Sequence, residues 1–144
     1  MFGPVLQVAH RDFRLRLTVP MGPVYIRVGK MQIEGDRFEV RLAETAEEVR
    51  SAQRLRYRVF VEEMGAPAPN ADVTERLEAD IYDKYVDHLI LIDRFAQPSD
   101  PLDRVIGVYR LLRKSVAVAG PGFYGASEYD LSHLIGSGRE ILEL

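Results

Sequence analysis

Four carboxylates, Glu78, Asp80, Asp83 and Asp87, fall within ten residues of the stretch LEADIYDKYVDHLILID, Leu77 to Asp93, just where the chain turns apolar. Negative charge crowded at the entrance of a buried strand is unfavourable unless cations answer it, because the charges repel and each loses solvation. Cations stand on both sides in sequence, in LRYRVF (Leu55–Phe60) and VYRLLRK (Val108–Lys114). Arg110 alternates with Val108 and Leu112, which sets it on a face that will be covered, and a covered guanidinium needs a carboxylate partner. Arg56 lies one helical turn before Phe60 and projects at the edge where Phe60 is expected to enter the core. The economical arrangement is a cluster in which Arg56 and Arg110 meet Glu78, Asp80 and Asp83. Such a cluster is either an ion-pair network pinning a long loop or a polar pocket for a charged small molecule. Glu143 is the other singular group, one carboxylate in the apolar ending ILEL. It sits either on an exposed face or in a cleft as a base of raised pKa.

The elements that must position these groups are legible from periodicity. FEVRLA (Phe38–Ala43) alternates apolar and polar residues and reads as a strand. In the following segment, Glu44–Gly65, Thr45 and Glu48 form a capping-box pattern and Gly65 is a helix stop. Val49, Ala52, Leu55, Val59 and Phe60 make a stripe at helical spacing, predicting a helix of about five turns. Residues 66–76, with two prolines and an Asn-Ala-Asp turn, form a loop. Val86–Asp93 and Arg104–Leu112 are strands of a hairpin closed by RFAQPSDPLD. Residues 120–138 read as a loop with a short helix beginning near Asp130, and REILEL opens a further strand. The glycine-rich AGPGFYG is not a GxGxxG fingerprint and suits a turn presenting Phe123 and Tyr124 to a core or an acyl chain.

Bulk properties restrict the function classes. A chain of 144 residues, 47% hydrophobic and 28% charged, is one globular domain in size and composition. The net charge of −3 gives no overall pull toward nucleic acid. Absence of cysteine excludes disulfides, thiolate metal sites and a cysteine nucleophile, which suits a cytoplasmic compartment. The three histidines, His10, His88 and His133, lack metal-ligand spacing, so no metal is expected. Residues 1–41 carry seven Lys/Arg against four Asp/Glu, leaving the remainder at −6. Residues 1–37 therefore read as a basic leader, β-rich in pattern, which is either an ordinary solvated face or a docking surface for an acidic carrier.

Five segments taken together, LRYRVFVEEMGA, EADIYDKYVDHLILID, VIGVYRLL, GFYGASEYDLSHL and REILEL, resemble a known family. They are similar to the ornithine N-acyltransferases of bacterial ornithine-lipid synthesis, members of the GNAT superfamily related to acyl-homoserine-lactone synthases. The resemblance spans residues 38–144. It implies an α/β (α+β) GNAT-like fold, a mixed, mostly antiparallel sheet flanked by helices, broken off here at its fourth or fifth strand, as in an N-terminal piece of a longer protein. It also implies transfer of a 3-hydroxyacyl chain from an acyl carrier protein thioester to the α-amine of ornithine, giving lyso-ornithine lipid. No cofactor enters that chemistry, and the partners it implies are the carrier protein, the amino acid and peripheral contact with the inner membrane. Carried over by motif, Glu143 is the catalytic base. Arg56, Glu78, Asp80, Asp83 and Arg110 form the substrate-binding ion-pair cluster, and Phe60 and Phe123 the acyl pocket. The lactone synthases carry a Trp soon after the helix, and this chain has none, which favours the ornithine type. The alternatives are a lactone synthase and a GNAT-like module that binds an acyl chain or its carrier without catalysis. A purely structural ion-pair domain is a further reading, under which Arg110→Ala costs about 3–5 kcal/mol and reveals no ligand.

Overall fold

A computed structural model describes residues 37–144, together with the backbone of four earlier strands, β1 (Leu6–Gln7), β2 (Arg14–Val19), β3 (Gly22–Arg27) and β4 (Met31–Gln32). The side chains of residues 1–36, and with them the docking surface expected on the basic leader, lie outside the described residues. From Phe38 the order is β5 (Phe38–Leu42), α1 (Ala46–Arg56), a long loop, β6 (Asp87–Asp93), β7 (Val105–Arg113), α2 (Lys114–Ala119), α3 (Ser132–Gly136) and β8 (Ile141–Glu143). The sheet runs β8-β7-β6-β5, extended at its edges by the two-residue strands β1 and β4, and every pairing among the described strands is antiparallel. β2 and β3 pair separately as a hairpin.

Thr45 caps α1 by accepting the Glu48 N–H at 3.2 Å. Glu48 reaches back to accept the Glu44 N–H at 2.8 Å, one residue before the cap, and pairs with Arg41, so the reciprocal half of the expected capping box is shifted to Glu44 and tied to the preceding strand. That hydrogen bond to the Arg41 guanidinium, against the cost of burial, holds the Glu48 carboxyl at about 2. After Arg56 the helix widens into a π-helical segment, Tyr57–Glu63, and stops at Gly65, whose φ of +64° suits the left-handed conformation that glycine adopts without strain. The wider turn changes which residues face inward. Arg56 and Tyr57 are both buried, whereas Phe60 is 43% exposed, correcting the expectation that Phe60 enters the core.

β7 contains an irregularity opposite Leu91 and Ile92, where pairing steps from Gly107 to Val105 and skips Ile106. The extra residue restores Val105 to the face occupied by Val108. On that face Ala52, Ile90, Ile92 and Val105 form one apolar cluster, flanked by Leu55 and Val108. Leu112, Ala117 and Phe123 form a second, joined by Tyr82, Tyr85 and Leu131. α2 has no counterpart in the sequence reading, because its Val-Ala-Val alternation carries a strand-like pattern.

Candidate active site

His88 on β6, Arg110 on β7 and Arg56 at the end of α1 sit between the two apolar clusters, because His88 alternates with Ile90 and Arg110 alternates with Val108 and Leu112. The loop before β6 delivers acids onto this line. Asp83, buried to 8% side-chain exposure, is the hub. Its Oδ1 accepts Arg56 Nη1 at 2.8 Å and contacts His88 Nε2 at 2.9 Å, and its Oδ2 accepts the Asp80 N–H at 2.7 Å with Arg110 Nη1 at 3.7 Å. Asp80 Oδ1 accepts Arg110 Nη1 at 2.7 Å and the Tyr82 N–H at 2.8 Å. Glu78 pairs with Arg56 Nη2. The structure thus brings Arg56, Arg110, Glu78, Asp80 and Asp83 into one cluster, while Asp87 turns away to Arg113 at 2.9 Å.

The acids in this cluster are not equivalent. Burial pushes the Asp83 carboxyl up, but the hydrogen bonds from His88 and the Asp80 N–H, with the charges of Arg56 and Arg110, outweigh it and hold the group at about 2. For Glu78 burial prevails over the attraction of Arg56, with Asp80 and Asp83 adding to it, and the carboxyl is raised. Burial lowers the Arg110 guanidinium, but Asp80 and then the other two acids carry it above its ordinary value.

Above the cluster lies a cavity of about 350 Å³. Arg56, Glu78, Asp80, Arg110 and Glu143 supply its charged wall, and Phe60, Pro67, Leu112 and Tyr124 its apolar one. Glu143 faces this cavity from β8, which corrects the exposed-face alternative. Its two oxygens accept the N–H groups of Tyr124 and Gly125, each at 2.7 Å. A Cβ on Gly125 would lie 3.1 Å from Glu143 Oε1, so the bare backbone permits this approach. Tyr124 packs edge-on against Tyr82, with ring centroids 5.3 Å apart, and closes one side of the cavity. Phe123 turns the other way, 5% exposed within the second apolar cluster, so of these two neighbours it is Tyr124 that lines the cavity, with Phe60 and Tyr82.

His88 is the group sequence reasoning passed over. Its place beside an acid and in alternation with Ile90 and Ile92 marked it as inward-facing, although nothing in the spacing named Asp83 as its partner. Among the described residues no group of three or more His, Asp or Glu is arranged to hold a metal ion. Four carboxylates (Glu78, Asp80, Asp83, Glu143) meet two guanidiniums in and beneath this cavity, an excess of acidic over basic side chains.

Residues 55–144, well over half of the chain, match the model of the acetyltransferase (GNAT) domain. The chain belongs to the GNAT acetyltransferase family. This GNAT chain is 52% identical over 107 residues to an L-ornithine N(alpha)-acyltransferase of Rhodobacter capsulatus, covering 74% of the chain and 41% of that protein. It is 42% identical over 109 residues to the L-ornithine N(alpha)-acyltransferase of Agrobacterium fabrum, covering 74% of the chain and 37% of that protein. Against the protein of the same description in Rhizobium meliloti it is 36% identical over 143 residues, which is 97% of the chain and 45% of the relative. The chain therefore spans less than half the length of these relatives. No solved structure matches it.

Proposed function

We propose that the chain forms the acceptor side of an N-acyltransferase that moves a 3-hydroxyacyl group from an acyl carrier protein thioester to the α-amine of ornithine, giving lyso-ornithine lipid. The observation that carries this reading is the cavity in which Arg56, Glu78, Asp80, Arg110 and Glu143 converge. Its excess of carboxylate suits an acceptor bearing ammonium groups, its guanidiniums suit the acceptor's carboxylate, and the relatives' description names ornithine.

In the reaction the neutral α-amine attacks the thioester carbonyl. The C–N bond forms, the C–S bond breaks, the carrier leaves as its thiol, and the amine gives up one proton. Glu143 is the assigned proton acceptor. Each of its oxygens accepts one backbone N–H and retains a second lone pair. Arg56 and Arg110 orient the acceptor, and Phe60 offers an apolar side chain at the cavity wall to the acyl chain. This aminolysis calls for no metal or nucleotide. The reaction belongs in the cytoplasm, with the lipid product released at the inner face of the membrane. Among the described residues no helix is long and apolar enough to cross a membrane.

The test is a mass-spectrometric product assay on the full-length protein, offering 3-hydroxyacyl carrier protein with ornithine or with S-adenosylmethionine. N-acylated ornithine is the expected product, and Glu143→Gln should lower its rate by about 100-fold or more. A lactone from S-adenosylmethionine would move the assignment to the lactone synthases. No product with either acceptor, from folded protein, would leave a non-catalytic binding module.

A further inference from the structure

We infer that Glu78 receives the side-chain ammonium of the amino-acid acceptor and sets the preference for a diamino acid over a neutral amino acid of the same length. The inference rests on the acyltransferase reading above and assigns one subsite within it. Three carboxylates line the cavity, and the structure separates them by what else they hold. Both Glu143 oxygens accept backbone N–H groups of the turn beginning at Tyr124. Asp80 is committed to Arg110 and to the Tyr82 N–H. Among the described residues no backbone N–H donates to Glu78. Its buried Oε2 meets the Arg56 guanidinium without a well-formed hydrogen bond.

Arg56 has a second carboxylate partner, since Asp83 accepts its other terminal nitrogen, Nη1, at 2.8 Å. Glu78 is thus the cavity carboxylate whose partner is shared with a second acid and whose Oε1 accepts no hydrogen bond among the described residues. A buried carboxylate so placed is costly to keep ionised, in agreement with the upward shift that burial gives it. An arriving ammonium offsets that cost by adding a charge-assisted hydrogen bond at Oε1, the oxygen that the Arg56 pair leaves open to the cavity. An acceptor with a methyl group at the same position leaves it in place. That difference is a source of discrimination, because a site built to pair a polar group penalises the analogue lacking it.

The experiment measures kcat/KM of the full-length protein for ornithine and for 2-aminopentanoic acid, which has the same chain length without the second amine. It compares the wild type, Glu78→Gln and Glu78→Asp, with 3-hydroxyacyl carrier protein as donor. Wild type should prefer ornithine. Glu78→Gln should lower kcat/KM for ornithine by about 10- to 100-fold, through KM, and leave the neutral acceptor within about threefold, as loss of one bond to a charged group predicts. Glu78→Asp retains the charge and should fall between the two. Thermal melting at pH 7 should be unchanged in Glu78→Gln. Equal losses for both acceptors, in either variant, would make Glu78 a structural residue and overturn the inference. So would retained selectivity in Glu78→Gln. Wild type that acylates no amino acid at all overturns the acyltransferase reading itself, and that failure shows before any variant is made.

Discussion

Asp83 is the residue on which the charged group turns, because every other member except Glu78 touches it directly. Its folded carboxyl ionises at about 2, below the ordinary carboxylate range, so its contribution is complete above about pH 4 and disappears as the pH falls through the folded value. The shift is worth about 2 kcal/mol. The urea midpoint should therefore drop steeply between about pH 4 and 2, and Asp83→Asn should flatten that slope while losing a similar amount at pH 7. His88→Leu should cost about 1–3 kcal/mol by leaving Asp83 one donor short, whereas His88→Gln, which keeps an N–H within reach, should recover most of it in the same unfolding assay. Much of this was legible in the sequence. Four acids beside an apolar run demanded cations, and Arg110 in strand alternation supplied one. The Asp83–His88 pair was not legible, because a contact between a loop acid and a strand histidine depends on a loop path that no periodicity encodes.

At the level of elements, strands and the first helix followed from alternation and capping, while two features did not. The π-helical turn after Arg56 carries no compositional mark, and it decides that Tyr57 goes inward and Phe60 to the cavity wall. The skipped Ile106 in β7 likewise inverts the face assignment on one side of it. Both are packing solutions, in which one extra residue is accommodated so that buried groups on neighbouring elements align. Gly65→Ala should cost about 1 kcal/mol in thermal unfolding through its positive φ alone, since open space surrounds the added methyl. Gly125→Ala is expected to act differently. Its methyl meets Glu143 Oε1 at 3.1 Å and should displace that carboxylate, lowering acyl transfer by about 10-fold or more with less effect on melting. A melting loss without loss of turnover would mean that Glu143 serves only to pin the Tyr124 turn.

For the molecule as a whole, the GNAT architecture was readable from five segments in order, and the family match over residues 55–144 agrees with it. Arg56, at 7% side-chain exposure with three acids around it, ties α1 to the loop. Arg56→Ala should be among the most damaging single changes, at about 3–5 kcal/mol, because it strands buried carboxylates without their counter-charge. One face of β7 passes from Val108 through Arg110 to Leu112, so among the described residues two oily compartments on this face are held apart by an ionic belt. Cohesion across the belt is governed by proton activity, and cohesion within each compartment by water's aversion to hydrocarbon. Acid should therefore unzip the molecule along a seam, with amide exchange quickening first at Asp80, Asp83 and His88 while Ile90 and Val105 stay protected. Urea, which weakens both compartments, should melt it without such an order.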